Sequence, residues 1–147
     1  MKRQLVLLGA SAVLVGGSGL AAPAASAVSR ADASAAAVHC DGAKYVAKGS
    51  NWHWLPKAGS GSLTCEMGRG ANGKHVSALQ QTLIRCYNLN TGGYDGDFGP
   101  STESALRTAQ SRAGTPADGI YGPHTRDALK WPVFNSSGGF TGSCVKH

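Results

Sequence analysis

Apolar residues recur with helical spacing in three places along this chain. From His75 to Tyr87, the positions Val76, Leu79, Gln80, Leu83 and Tyr87 fall at i, i+3, i+4, i+7 and i+11, an amphipathic stripe that predicts a helix. Ala105, Leu106 and Ala109 share one face of a second helix, and Ala128 with Leu129 mark a shorter third one. The period changes to two between Asn51 and Trp54, where Trp52 and Trp54 alternate with Asn51 and His53, the signature of a strand. Turn clusters at Gly49-Ser50-Asn51 and Gly59-Ser60-Gly61 flank this stretch and predict a small β-hairpin. Trp131-Pro132 reads as the stop of the third helix, and Val133 to Gly142 as a Gly/Ser-rich tail.

Between the helical stretches one pattern occurs twice. Residues 95–106 read DGDFGPSTESAL and residues 118–129 read DGIYGPHTRDAL, an offset of 23 with seven of twelve positions identical. In each copy Asp-Gly makes a turn, an aromatic (Phe98, Tyr121) plugs the loop into the core, and Gly-Pro opens a helix. Two such units are too few for a solenoid. The fold expected is therefore mainly α: three helices over residues 70–130 with two related DG-loops, preceded by a β-hairpin extension over residues 39–69.

The strings VSALQQTLIRCY, DGDFGPSTESALRTAQSRAG and DGIYGPHTRDAL together resemble the small three-helix peptidoglycan-binding domains that accompany cell-wall hydrolases and carboxypeptidases. The residues at the positions of the pattern are Val76, Leu79, Gln80, Leu83, Asp95, Gly96, Phe98, Gly99, Thr102, Ala109, Gln110, Asp118, Gly119, Gly122 and Thr125, all but Ala109 in keeping with it. Ala109 departs from the pattern, which carries an aromatic before the glutamine. The resemblance implies peptidoglycan, by its glycan or its stem peptide, as partner, met in a groove near the DG-loops. Tyr94, Asp97, Tyr121, His124 and Arg126 are the candidate contact residues in that groove. Asp95, Gly96, Gly99, Asp118, Gly119 and Gly122 are read as architectural.

Met1 to Ala27 has the form of a secretory signal, with Lys2 and Arg3 before an apolar run and Ala25-Ser26-Ala27 as cleavage site. Residues 28–38 are Ala/Ser-rich and read as a flexible lead-in, and no later stretch is apolar enough to span a membrane. The expected location is extracellular or wall-associated. Cleavage would lower Lys plus Arg from 14 to 12 against 8 acids, leaving a net charge of +4. These charges are scattered, which argues against nucleic acid as a partner. Cys40, Cys65, Cys86 and Cys144 all lie beyond the signal, and an even number in a small exported chain implies two disulfides. Of three connectivities, Cys40–Cys65 would close the hairpin region, and Cys86–Cys144 would tie the first helix to the tail of residues 131–147. Zinc is disfavoured by the lack of a Cys-x-x-Cys pair.

No enzymatic constellation emerges. The five histidines form no i, i+4 helical pair, and once Asp95 and Asp118 are assigned to turns no acid/base carboxylate pair remains. The expectation is a monomeric, non-catalytic binding protein without cofactor or metal. Two other readings stand beside it: a secreted interaction protein or inhibitor acting on an extracellular protein through Trp52 and Trp54, and a wall hydrolase.

Overall fold

The computed structural model describes residues 37–147. The signal segment 1–27 and most of the lead-in lie outside the described residues. Strands β1 (Gly42–Lys48) and β2 (Asn51–Lys57) come first, then helices α1 (Lys74–Tyr87), α2 (Pro100–Ala113) and α3 (Pro123–Ala128), and finally strands β3 (Lys130–Phe134) and β4 (Phe140–Lys146). The strands form one antiparallel sheet in the order β1-β2-β3-β4. Among the described residues no helix is long and apolar enough to cross a membrane.

This corrects the mainly-α expectation, because helices and sheet share the fold. The difference lies in the C-terminal stretch. Helix α3 spans only six residues, and Leu129 already has extended backbone (φ −74°, ψ 151°). The chain then enters β3, where Pro132 does not stop the strand, although proline lacks the ladder N–H. β2 and β3 pair only at Trp52↔Phe134, and a register irregularity lies between Pro132 and Phe134. Proline thus sits where the β2 ladder makes no demand on its nitrogen. β4 gave little pattern to read, since only Phe140 and Cys144 of Phe140–Lys146 are even half-buried.

Helix α1 is the centre of the packing and touches all four strands as well as α2. Its stripe of Val76, Leu79 and Leu83 is buried against Leu55 of β2, Trp131 of β3 and Leu106 of α2. Phe98 and Tyr121, the aromatics of the two DG-loops, are sealed into the same core, and Tyr121 meets Trp131 edge-on at 6.1 Å. The disulfides are Cys40–Cys65, between the approach to β1 and the segment after β2, and Cys86–Cys144, between the last turn of α1 and β4. Each joins parts far apart in sequence, by 25 and 58 residues. Such links are expected to contribute about 2–4 kcal/mol each by restricting the unfolded chain.

Candidate functional site

Each DG-loop is held by a buried glutamine. Gln80 lies on the inner face of α1, and its amide nitrogen is 2.6 Å from Asp95 Oδ1, 3.1 Å from the Asp97 carbonyl and 3.1 Å from Thr102 Oγ1. Its Oε1 accepts the Gly96 N–H at 2.9 Å. Gln110, on α2, repeats the arrangement with Asp118 Oδ1 (2.8 Å), the Ile120 carbonyl (2.9 Å), Thr125 Oγ1 (3.0 Å) and the Gly119 N–H (2.9 Å). Both glutamines are fully buried, where an unpaired amide would cost about 1–3 kcal/mol, so the loops are fixed by polar groups that must be satisfied. Asp95 also accepts the Asp97 N–H, and Asp118 accepts that of Ile120, both at 2.9 Å. Backbone N–H bonding first, and then Gln80, holds the Asp95 carboxyl below its ordinary pKa.

The internal repeat therefore needs restating. What recurs is this glutamine clasp and not a structural unit: α2 has 14 residues, whereas α3 has six and runs into a strand. Gly96 and Gly119 have positive φ (80° and 73°), and a Cβ at Gly96 would stand 3.2 Å from the Gly73 carbonyl oxygen.

Between the loops runs a strap, residues 67–73. Met67 exchanges both backbone hydrogen bonds with Tyr121 (3.0 and 2.8 Å), the Gly70 N–H donates to the Phe98 carbonyl, the Phe98 N–H donates to the Ala71 carbonyl, and the Gly73 N–H donates to the Gly96 carbonyl. Asn72 Nδ2 donates to the Asp97 carboxylate. Glu103 at the start of α2 grips Arg69 of the strap (2.6 Å) and Arg107 (3.0 Å), and Arg107 reaches the Ala117 carbonyl. The hydrogen bonds from Arg69 and then Arg107 lower the Glu103 pKa.

Beside the strap lies a cleft of about 470 Å³ whose polar lining is His39, Asp41, Glu66, Arg69, Asn72 and His75. Half of that lining comes from the disulfide-linked segment that joins the hairpin to the helices. His75 is buried, and its Nδ1 has no hydrogen-bond partner among the described residues. Burial pushes its pKa down, with the Asp41 carboxylate opposing the shift. Asp41 is also 3.7 Å from Lys57. Carboxylates, a guanidinium, an amide and imidazoles in one cleft can hydrogen-bond a ligand bearing amide, carboxylate and ammonium groups. Among the described residues, no group of three or more His, Cys, Asp or Glu side chains is placed to hold a metal.

The five candidate contact residues divide. Tyr94, Asp97 and His124 are exposed. Asp97 adjoins the cleft through Asn72. Tyr94 lies 6.0 Å from the Arg85 guanidinium. Tyr121 is fully buried and its hydroxyl has no partner among the described residues; its ring is a core plug, and burial raises its pKa. Arg126 is spent on structure: it pairs with Asp127 at 2.8 Å, donates to the Leu63 carbonyl at 2.9 Å, and its own carbonyl accepts the Trp131 indole N–H. Gln80 and Gln110 stand among the residues that carry the family resemblance, but their loop partners are not legible in the sequence, and the cleft residues His39, Asp41, Glu66, Arg69, Asn72 and His75 carry no local signal as a group. The two glutamines were visible as polar residues on buried helical faces, each ahead of an Asp-Gly pair.

Residues 72–129 match the family described as "Putative peptidoglycan binding domain". The N-acetylmuramoyl-L-alanine amidase CwlL of Bacillus licheniformis is 44% identical over 62 residues, 42% of this chain and 17% of that protein. A spore cortex-lytic enzyme of Bacillus cereus is 45% identical over 62 residues, 42% of this chain and 23% of that protein. The crystal structure of the SleB N-terminal domain aligns at 42% identity over 43% of this chain and 85% of that one, with a TM-score of 0.39. The chain spans about a fifth of the length of the curated relatives it matches. These likenesses support a peptidoglycan-binding domain over residues 72–129.

Proposed function

We propose that this chain is an exported, non-catalytic protein that binds cell-wall peptidoglycan on the face where the DG-loops, the strap and the adjoining cleft meet. One observation carries the reading: within the family-matched span, both clasped loops hydrogen-bond to the strap whose residues also line the cleft. Exposed Tyr94, Asp97 and His124 lie on these loops or beside them, and the mixed polar lining suits the amides, carboxylates and ammonium groups of stem peptides. A rigid backbone frame supports such recognition because the ligand does not have to order the loops on binding.

Co-sedimentation of the full, disulfide-bonded chain with purified insoluble peptidoglycan tests it. Saturable pelleting that survives high salt is expected; pelleting that disappears with salt would mean that only the basic net charge is attracted. Replacing Asp97, Glu66 and Asn72 together by Ala should weaken pelleting about tenfold if two or three hydrogen bonds are lost. Undiminished binding by that variant would move the site elsewhere. A clearing band on gels with embedded wall material would overturn the non-catalytic part.

A further inference from the structure

The sheet has a second face. In the β1–β2 pair, Val46↔His53 and Lys44↔Leu55 alternate with Tyr45↔Trp54 and Ala47↔Trp52. His53 and Leu55 are fully buried and Val46 packs on the core, so the first set faces inward. Tyr45, Ala47, Trp52 and Trp54 stand on the opposite face. Tyr45 stacks on Trp54 at 6.3 Å between ring centroids and meets Phe134 edge-on at 5.9 Å. Even so, Tyr45 remains 52% exposed and Trp52 39% exposed. Directly opposite positions on paired strands place Tyr45 and Trp52 diagonally across small Ala47, with their Cβ atoms about 7 Å apart.

The β3–β4 turn adds a polar wall. Tyr45 and Trp52 line a shallow pocket of about 270 Å³ together with Asn135, Ser136 and Gly138. Asn135 Oδ1 is committed to the turn, accepting the Ser137 N–H (3.1 Å) and the Gly139 N–H (2.8 Å), while its Nδ2 has no hydrogen-bond partner among the described residues. The pocket is lined by two aromatic rings, a free amide donor and a hydroxyl, with no ionised side chain. A charged ligand finds no counter-ion here. A pyranose ring does fit: its C–H face lies on the aromatic rings, and its hydroxyl or acetamido oxygens accept from Asn135 and Ser136.

We propose that the pocket between Tyr45, Trp52 and the Asn135–Ser136 turn is a glycan subsite for an uncharged hexopyranose. It is formed by the sheet, outside the family-matched span. Its natural occupant, an N-acetylhexosamine unit of a wall glycan, rests on the wall-binding reading above; the subsite itself rests on the sheet.

The test is titration of the full, disulfide-bonded chain with a soluble N-acetylglucosamine tetramer, followed by NMR shifts and tryptophan fluorescence. Shifts should concentrate at Tyr45, the Trp52 indole and the Asn135 side-chain amide, and affinity should not change with salt. Trp52→Ala should raise Kd about tenfold or more, the loss of one ring contact. Asn135→Asp keeps the turn's acceptor, removes the donor and should also weaken binding, while thermal melts of both variants stay close to the parent. Shifts confined to the cleft at His39–His75, or tetramer affinity unchanged in both variants, would overturn the subsite and leave wall binding intact. Attachment through this face only to walls that retain protein, with no tetramer binding, would overturn it in favour of a protein partner. Tetramer binding without pelleting on purified peptidoglycan would keep the subsite and remove the wall as its source.

Discussion

At the scale of single residues the two glutamines decide most. Gln80 and Gln110 each satisfy an Asp carboxylate, a carbonyl and a threonine hydroxyl while accepting a glycine N–H. Gln80→Met retains the volume but strands the Gly96 N–H and half of the Asp95 hydrogen bonding. Urea unfolding should show a loss of about 1–3 kcal/mol, the cost of leaving buried polar groups unpaired. Gly96→Ala should also destabilise, since the added Cβ requires positive φ against the Gly73 carbonyl oxygen. The sequence pattern exposed Asp95, Gly96, Asp118 and Gly119 as turn-makers because Asp-Gly carries its own geometry. It did not expose their partners, because nothing local says that a glutamine on an apolar stripe reaches a loop 15 residues away.

Among the elements, β4 depends on a covalent tie. Among the described residues its only strand neighbour is β3, and it lies at one edge of the sheet, with Cys144 bonded to Cys86 of α1. Replacing both cysteines by alanine should cost about 2–4 kcal/mol. It should also raise amide hydrogen exchange across Phe140–Lys146 well before α1 loses protection. This is the element least legible beforehand. α1 announced itself through the period of Val76, Leu79 and Leu83, and β2 through the alternation of its tryptophans. β4, by contrast, is FTGSCVK, with almost nothing to bury, and it exists because pairing with β3 and the disulfide supply what its side chains do not. β3 was hidden by Pro132, which reads as a terminator until the missing β2 ladder at that position is known.

For the whole molecule the charged and imidazole groups set a pH dependence. His53, His75 and His147 all have pKa values lowered, chiefly by burial, with the surrounding cations adding to the effect at His53 and His147. His53 is fully buried, its ring 5.7 Å from that of His147. The unfolded chain therefore binds protons first: stability is fully present above about pH 6.5, the ordinary histidine value, and falls as pH drops towards the folded values. Asp95, Glu103 and Asp127, whose pKa values are depressed, add a second decline below the ordinary carboxylate range. Urea midpoints measured from neutral to acidic pH should fall in these two stages, and His53→Phe should flatten the first.

The strap, finally, bears on how freely this fold can be moved between proteins. The family-matched span begins at residue 72, yet Met67, Gly70 and Ala71 supply four backbone hydrogen bonds to its two loops, and Leu55 and Trp131, outside it on either side, close its core. A graft cut at that boundary would leave Phe98 and Tyr121 anchored from one side only. The transplantable unit is set by where hydrogen bonds and core contacts end, and here that lies beyond the family-matched stretch of residues 72–129.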